Sequence, residues 1–233
     1  MLCSIADFNI EFKNPSENCQ KFLQEYQTTA PAEVEFSLNE QDIQKVRENV
    51  SYAATPLQLE VTAFYDKLLA WLPLNNAMFL HASLIEVDKK GIAFTALSGT
   101  GKSTHTLLWQ KLLGEQMEII NGDKPLIRFI DGVPYGYGTP WNGKEKLGCK
   151  KHVEMKHICF IERCDKNSCE KITAKDALER IFSQIFVPSE PVAALKTLDL
   201  LNDLLNKCTI WNVKCNTDIE AAKVAYNTIL GEK

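Results

Sequence analysis

The sequence ALSGTGKST at residues 96–104 is the segment whose residue types and spacing are best suited to chemistry. It fits the pattern GxxxxGK[ST], except that Ala96 stands where the first glycine usually lies, and a small residue there still permits a tight turn. Gly99 and Gly101 tolerate the dihedral angles that turn successive backbone N–H groups inward. The pattern therefore predicts a loop that holds phosphate, called the phosphate-binding loop below.

Two side chains at the end of this loop extend the prediction from phosphate to a nucleotide with its metal ion. A helix that begins at Lys102 adds its partial positive charge, and the lysine can reach the β- and γ-phosphates. The hydroxyl of Ser103 can ligate Mg²⁺. The residues expected to contact the nucleotide are Ser98, Gly99, Thr100, Gly101, Lys102, Ser103 and Thr104.

A site of this kind needs a carboxylate to hold the metal, and Asp123 is the candidate. It follows the apolar segment MEII at residues 117–120, which is expected to be a strand. We expect Asp123 to bind Mg²⁺ together with Ser103, either directly or through water. The alternative is structural, because Asn-Gly-Asp at residues 121–123 is also a good turn sequence.

The sequences LHASLIEVDKKGIAFTALSGTGKSTHTLLWQ and IINGDKPLIRF, at residues 80–110 and 119–129, resemble the catalytic core of HPr kinase/phosphorylase. The stretch SGTGKST is also similar to the related ATP-dependent phosphoenolpyruvate carboxykinases. The resemblance covers residues 78–165 and implies an α/β fold with a mixed sheet and a β-rich core, distinct from that of the common P-loop NTPases. It also implies ATP and Mg²⁺ as cofactors.

The same resemblance assigns roles to two further positions. In that family a histidine on the strand before the phosphate-binding loop lies near the phosphates, and His81 falls there. We therefore expect His81 to act in catalysis with Lys102 and Asp123, as a proton relay. The alternative for His81 is a half-buried imidazole bonded within the core. The family also has two neighbouring aspartates, but Gly122 replaces the first here, which leaves the general base open.

Residues 136–146, GYGTPWNGKEK, form a segment rich in glycine and aromatic residues. Such a loop can close over a nucleotide or hold an acceptor, with Trp141 as an apolar wall and Lys144 or Lys146 on phosphate oxygens. It can equally be a surface loop anchored by a buried tryptophan. The sequence does not decide between these alternatives.

Basic residues are concentrated in residues 142–175, which hold nine of them against five acidic residues. This segment is either a solvated surface or a rim that attracts an anionic substrate or an acidic partner. Arg163 and Arg180 are candidate phosphate contacts within or near it, although single arginines at such positions are usually surface residues. The arginine loop of the HPr kinase family has no confident counterpart here.

Apolar periodicity predicts the elements that must position these residues. Thr55 and Pro56 are expected to start a helix, and Asp131-Gly132 predicts a hairpin turn. Strands are expected at residues 79–87, 91–97, 117–120, 157–162 and 208–213, and helices at 102–113, 174–186, 191–206 and after a capping box of Thr217 and Glu220. We expect a small α+β lobe at residues 1–75, packed on a catalytic core at residues 76–233.

The composition is that of a globular protein, with 233 residues, 45% hydrophobic and 24% charged. The net charge of −4 argues against a dedicated nucleic-acid binder, and the chain lacks a run of ~18 apolar residues that could span a membrane. The eight cysteines form no CxxC pair, so we expect reduced thiols. With no recognisable signal peptide, the expected location is the cytoplasm.

Together these features favour an ATP- and Mg²⁺-dependent kinase that transfers the γ-phosphoryl group to a hydroxyl, either a serine of a protein or peptide or a small molecule. The alternative is a nucleotide-binding regulatory module with little or no turnover, which Gly122 favours. Carboxykinase chemistry would need a second lobe, for which the chain is too short. The expected partners are a nucleotide and the hydroxyl-bearing acceptor, with no nucleic acid and no membrane; homo-oligomers are common in the family that the sequence resembles.

Overall fold

A computed structural model describes residues 1–97 and 99–231 of the chain. Ser98, one of the expected nucleotide contacts, and the last two residues lie outside the described part. The described residues form seven α-helices and twelve strands. In chain order these are β1 (Leu2–Ile5), β2 (Phe8–Phe12), α1 (Glu17–Leu23), β3 (Val34–Phe36), α2 (Glu40–Asn49), α3 (Pro56–Trp71), β4 (Ala77–Phe79), β5 (Ser83–Val87), β6 (Lys90–Thr95), α4 (Lys102–Leu113), β7 (Met117–Asn121), β8 (Leu126–Ile130), β9 (Val133–Tyr137), β10 (His152–Arg163), β11 (Ser168–Ile172), α5 (Ala174–Phe182), α6 (Pro191–Lys207), β12 (Thr209–Cys215) and α7 (Ile219–Ile229).

Nine of these strands form one mixed sheet, as the sequence predicted for an α/β protein. Seven follow the order β4-β8-β9-β10-β6-β5-β7, while β12 pairs with β10 and β11 pairs with β12. The long strand β10 pairs antiparallel with β9 through its first residues and lies parallel to both β6 and β12 farther on. Because β6 and β10 are parallel, their carboxyl ends lie at the same edge of the sheet, where the phosphate-binding loop begins.

Side chains of β6 alternate between two apolar clusters, the pattern of a strand that is buried on both faces. Ala93 packs in the cluster that contains α5 and α6, whereas Ile92 and Phe94 pack in the cluster with α4 and α7. Helices therefore cover both faces of the sheet centre. The phosphate-binding loop lies between a fully buried strand and the packed helix α4.

The N-terminal residues form a separate three-stranded sheet of β1, β2 and β3, which packs on β4, β8 and β9 of the large sheet. The turn between β1 and β2 is bonded to the large sheet at two points. Tyr137 donates its hydroxyl to Asp7 at 2.8 Å, and Arg128 donates to the carbonyl of Ala6 at 2.6 Å while its guanidinium lies over the ring of Phe8. The division into a lobe and a core at residue 75 stays a prediction.

Several predicted elements are confirmed. Helix α4 has the predicted bounds, and α3 begins with Thr55 as the N-cap in a reciprocal capping box with Gln58. Asp131 and Gly132 both have positive φ, as a type I′ turn requires, and they join β8 to β9. Within the described residues, no helix is long and apolar enough to cross a membrane.

The predicted bounds of two elements are wrong, and the wrong parts of the two elements contact each other in the structure. The strand expected at residues 79–87 is interrupted, and the helix expected at residues 174–186 ends at Phe182. The reason is a tertiary contact: Leu80 pairs with Ile185, and the backbone N–H of His81 donates to the carbonyl of Gln184 at 2.8 Å. Local periodicity does not predict this pairing, which accompanies the end of α5 and the break in the strand.

The predicted start of the last helix is also wrong. The N-cap of α7 is Asp218 rather than Thr217, and its side chain makes no capping bond. Its carboxylate instead accepts a hydrogen bond from Asn216 at 3.2 Å, so the expected capping box with Glu220 does not form. The sequence prediction also missed β11, an edge strand in which Ser168, Glu170 and Lys171 are exposed.

Candidate functional site

The phosphate-binding loop ends at a helix start that carries no side-chain cap. The N-cap of α4 is Gly101, with φ of 120°, and Gly99 has φ of 77°. Both angles lie in the region that favours glycine. Because Gly101 has no side chain, the first N–H groups of α4 are left to a partner from outside the helix, and the helix dipole favours an anion there.

Lys102 is a nearly buried cation that lacks a close hydrogen-bond partner. Its side chain is 12% exposed, and its Nζ lies 3.5 Å from Oδ1 of Asp123, which is long for a hydrogen bond. Among the described residues, this Nζ is one of three buried side-chain atoms without a hydrogen-bond partner. Burial lowers the pKa of Lys102, and the charge of Asp123 opposes that effect. A phosphate oxygen would supply the missing acceptor, so the lysine fits the nucleotide role predicted for it.

Asp123 is surrounded by three cationic or potentially cationic groups. Its carboxylate lies 2.9 Å from Nζ of Lys124, 3.3 Å from Nε2 of His81 and 3.5 Å from Nζ of Lys102. Burial alone would raise the pKa of Asp123, but the contact with His81 and the charges of both lysines outweigh it and hold that pKa well below its ordinary value. Asp123 is therefore ionised at neutral pH, as a metal ligand must be.

The structure thus brings together the three side chains that the sequence assigned to catalysis. His81 lies in the connection between β4 and β5, not on a strand as predicted. Its Nδ1 lies 3.0 Å from Oε1 of the buried Gln184, and its carbonyl accepts from the hydroxyl of Thr95 at 3.0 Å. His81 is held on both sides, with Nε2 directed at Asp123.

A buried asparagine, which the sequence analysis considered only as part of a turn sequence, shapes the turn before Asp123. The side-chain oxygen of Asn121 accepts from the backbone N–H groups of Asp123 and Lys124, at 2.9 and 2.8 Å. Its amide nitrogen donates to the carbonyl and hydroxyl of Thr139. The Asn-Gly-Asp sequence therefore forms the turn that was the structural alternative, and the same turn presents Asp123 to Lys102. Asparagine's preference for such turns was the available signal.

Ser103 and Thr104 differ in where their side chains lie. Ser103 lines the same cleft as Asp123, so the two could hold a metal ion together with phosphate oxygens. Thr104 is exposed on α4. The metal role of Ser103 and Asp123 and the nucleotide contacts of Gly99 to Thr104 stay predictions.

This cleft has a volume of about 870 Å³. It separates residues 1–75, called the N-terminal segment below, from residues 138–149, called the Trp141 loop below. Phe22, Leu57 and Val61 form an apolar wall, and Lys144 and Lys146 are exposed on the opposite rim. The cleft is open to solvent and leads to Asp123 and Ser103. It offers room for an acceptor beside the phosphate-binding loop.

Trp141 is buried, as the anchoring alternative predicted. Its ring packs against Tyr65, Phe79 and Phe22, and its Nε1 donates to the carbonyl of Val61 at 3.3 Å. Because Val61 belongs to α3, the tryptophan fixes the Trp141 loop to the N-terminal segment. Trp141 also lines the cleft, so anchoring does not exclude contact with an acceptor.

Gly122 is explained by the close approach of the Trp141 loop. A Cβ atom at this position would lie 3.0 Å from the carbonyl oxygen of Asn142 and 3.1 Å from that of Leu147. The backbone N–H of Gly122 donates to Leu147 at 2.8 Å. A side chain at position 122 would require the backbone of the Trp141 loop to shift by a few tenths of an ångström, so the close contact disfavours an aspartate there.

The two candidate arginines have different positions. Arg163 donates to the backbone carbonyls of Gly99 and Thr100 in the phosphate-binding loop. Arg180 donates to Asn212 at 2.8 Å, with its guanidinium over the ring of Phe160.

Comparisons with known proteins give a limited result. No protein-family model matches the sequence, and no curated protein has a detectably similar sequence. Among solved structures, the chain is similar to the HPr(Ser) kinase/phosphatase from Coxiella burnetii, with a TM-score of 0.31 and 14% identity over 52% of this chain and 86% of that one. A likeness at this level is remote, and it establishes neither an activity nor a substrate.

Proposed function

We propose that this chain is an ATP- and Mg²⁺-dependent kinase that transfers the γ-phosphoryl group to a hydroxyl-bearing acceptor in the cleft. The observation that carries the proposal is the nearly buried Nζ of Lys102, which lacks a close acceptor at the start of a glycine-capped helix and faces an ionised Asp123. A triphosphate with its metal would satisfy this lysine, the uncapped helix N-terminus and the carboxylate together.

The proposed role of each residue follows from the chemistry of its side chain. Lys102 and the loop N–H groups would stabilise charge on the transferred phosphoryl group, as positioned cations and dipoles do in phosphoryl transfer. Ser103 and Asp123 would hold Mg²⁺, which neutralises phosphate charge and orients the oxygens. His81, with Nε2 on Asp123, would assist the proton transfer from the acceptor hydroxyl.

The shape of the cleft bears on the acceptor. Its volume of about 870 Å³ and its open side suit a serine in a peptide or protein segment as well as a small molecule. The apolar wall of Phe22, Leu57 and Val61 and the lysines on the opposite rim offer both apolar and charged contacts. The acceptor class is therefore the first property to measure.

A second candidate function is a nucleotide-binding regulatory module with little turnover. The charges around Asp123 favour it, because a carboxylate that contacts two lysines and a histidine is a weak proton acceptor. Both candidates predict nucleotide binding that depends on Lys102, and they differ in whether a phosphorylated product forms.

The test is a mass-based screen for phosphoryl transfer. The protein is incubated with Mg²⁺-ATP and a panel of serine-containing peptides, polyols and hydroxy-amino acids. We expect a product heavier by one phosphate, which Lys102→Ala abolishes and Lys111→Ala retains, since Lys111 is exposed on the last turn of the same helix. Nucleotide binding without any product would favour the regulatory module instead.

A further inference from the structure

Arg163 is the last residue of β10, and its guanidinium bonds to the backbone of the phosphate-binding loop. Nε donates to the carbonyl of Thr100 at 2.8 Å, and Nη2 donates to the carbonyl of Gly99. Parallel pairing brings the two segments together, since Phe160 of β10 lies in register with Thr95 at the end of β6. The sheet therefore places Arg163 at the end of β10, beside the phosphate-binding loop that follows β6.

These two bonds fix the orientation of two successive peptide units. In a trans peptide the N–H points opposite to the C=O of the same unit. With the carbonyls of Gly99 and Thr100 directed at Arg163, the N–H groups of Thr100 and Gly101 face the other side of the loop. Thr100 uses its N–H within the loop, donating to Leu97 at 3.1 Å. The N–H of Gly101 is therefore turned away from Arg163, and in the proposed site it would donate to a phosphate.

The space beside the two glycines of the loop is open. A Cβ atom built at either Gly99 or Gly101 would find no described atom within 4 Å outside its chain neighbours. Both glycines have positive φ and a large conformational freedom when unconstrained. The guanidinium presents its donors in a rigid planar fork that matches two adjacent carbonyls, whereas the rotatable donors of a lysine ammonium do not fix their relative orientation.

We propose that Arg163 is a positioning residue that pre-orders the phosphate-binding loop by holding its outer carbonyls, rather than a residue that contacts phosphate. This inference rests on the nucleotide site of the proposed function. Its consequence is that loss of the guanidinium weakens the binding of the phosphate chain, because the loop must then be ordered when the phosphate binds. The fold should be little affected, since the side chain is exposed.

The test compares Arg163→Ala, Arg163→Lys and the control Arg47→Ala, an exposed arginine that bonds to Gln44 within α2. Calorimetry measures the Kd for Mg²⁺-ATP and for inorganic tripolyphosphate, and thermal unfolding gives the midpoint of each variant. We expect Arg163→Ala to raise both Kd values by about tenfold at an unchanged midpoint. Arg163→Lys should lose nearly as much affinity, and Arg47→Ala should match the wild type.

Each other result overturns a distinct part of the account. If the wild type binds neither ATP nor tripolyphosphate, the proposed function and this inference both fail. If it binds them and Arg163→Ala binds equally well, only the inference fails. If Arg163→Lys keeps wild-type affinity, a positive charge is enough at this position, and the inference that the two-pronged guanidinium orders the loop fails. A fall in affinity that accompanies a lowered unfolding midpoint would assign Arg163 a structural role instead.

Discussion

Asp123 is the residue on which the charges of the candidate site converge. Lys102, Lys124 and His81 all contact its carboxylate, which lowers its pKa despite burial. A triphosphate with Mg²⁺ would compete for the same groups, drawing Lys102 to phosphate oxygens and the carboxylate to the metal. We therefore expect Asp123 to act on the metal and the phosphates rather than on the nucleotide base or sugar.

Asp123→Asn tests this role. The amide keeps the shape but lacks the negative charge that a hard cation prefers, so the variant should lose transfer by about 100-fold or more. Its affinity for ATP should change far less. Transfer rates against Mg²⁺ concentration measure the effect, and Asp131→Asn in the exposed hairpin turn is the control. Equal transfer by wild type and Asp123→Asn would remove this residue from the mechanism.

His105 is a buried residue beneath the phosphate-binding loop whose effect is on stability. Its Nε2 accepts a hydrogen bond from Nε1 of Trp109 at 3.0 Å, and its ring packs against Phe94. Burial lowers the pKa of His105 to about 4. Burial and two nearby lysines also lower the pKa of His157 to about 4. Both histidines are therefore neutral in the folded protein at pH values where they are charged in the unfolded chain.

The sign of the pH dependence follows from this difference. At pH values between the unfolded pKa near 6.5 and the folded pKa near 4, the unfolded chain binds the proton and the folded protein does not. The free energy of unfolding therefore decreases as the pH is lowered through this range. For His105 the loss between pH 7 and pH 5 is about 2 kcal/mol. Urea unfolding at both pH values should show a smaller loss in His105→Gln than in the wild type. The exposed His152→Gln should leave the loss unchanged, and an equal loss in all three proteins would contradict the assignment.

The contacts around His81 show which parts of the site local sequence can predict. The adjacency of His81, Lys102 and Asp123 was expected, because a motif and a family resemblance pointed to all three. Gln184, which bonds His81 on its other side, lies 103 residues away along the chain and belongs to no motif. Such a partner is fixed only by tertiary packing, which no local pattern records.

At the scale of elements, the Trp141 loop and the turn at residues 121–123 restrict each other's position through close contact. The loop carbonyls of Asn142 and Leu147 lie where a side chain at Gly122 would extend. Trp141 holds the loop to α3, so it cannot easily move away. The glycine is therefore a requirement of packing between two elements.

Substitution of Gly122 tests this packing. Gly122→Ala should lower the free energy of unfolding by about 1–3 kcal/mol, the usual effect of overpacking, and Gly122→Asp should lower it further. Chemical unfolding of the three proteins measures the series. If Gly122→Asp were as stable as the wild type, the Trp141 loop would have to lie farther from position 122 than described.

Elements were predictable where local signals agreed with the tertiary structure. Helix α4 has a glycine before it and another after it, and its predicted and observed bounds coincide. Residues 183–186 were expected to continue α5, yet the helix ends at Phe182, Ile185 pairs with Leu80, and the carbonyl of Gln184 accepts from His81. Local periodicity could not predict this, because the competing hydrogen bonds come from a distant part of the chain.

At the scale of the whole molecule, the N-terminal segment and the large sheet share one apolar cluster. Phe64, Tyr65 and Leu68 of α3 pack in the same cluster as Phe79 and Leu126 of the large sheet. The cleft lies between these two parts of the molecule and leads to Asp123. The relative position of the two parts therefore sets the width of the proposed acceptor site.

Tyr137→Phe tests the coupling between these parts. Loss of the hydroxyl bond to Asp7 should lower the free energy of unfolding by about 1 kcal/mol in a single transition, because one cluster spans both parts. Tyr135→Phe on the same strand is the control. Two separate transitions by circular dichroism and tryptophan fluorescence would show instead that residues 1–75 fold independently.

The central claim is that Lys102, Ser103 and Asp123 form one site for a nucleoside triphosphate with its metal. The most direct measurement is the calorimetric Kd for ATP, with and without Mg²⁺, in the wild type, Lys102→Ala and Lys111→Ala. We expect Mg²⁺-dependent binding in the wild type and Lys111→Ala, and a large loss of affinity in Lys102→Ala at an unchanged unfolding midpoint. Equal affinity in Lys102→Ala, or no binding by the wild type, would contradict the claim.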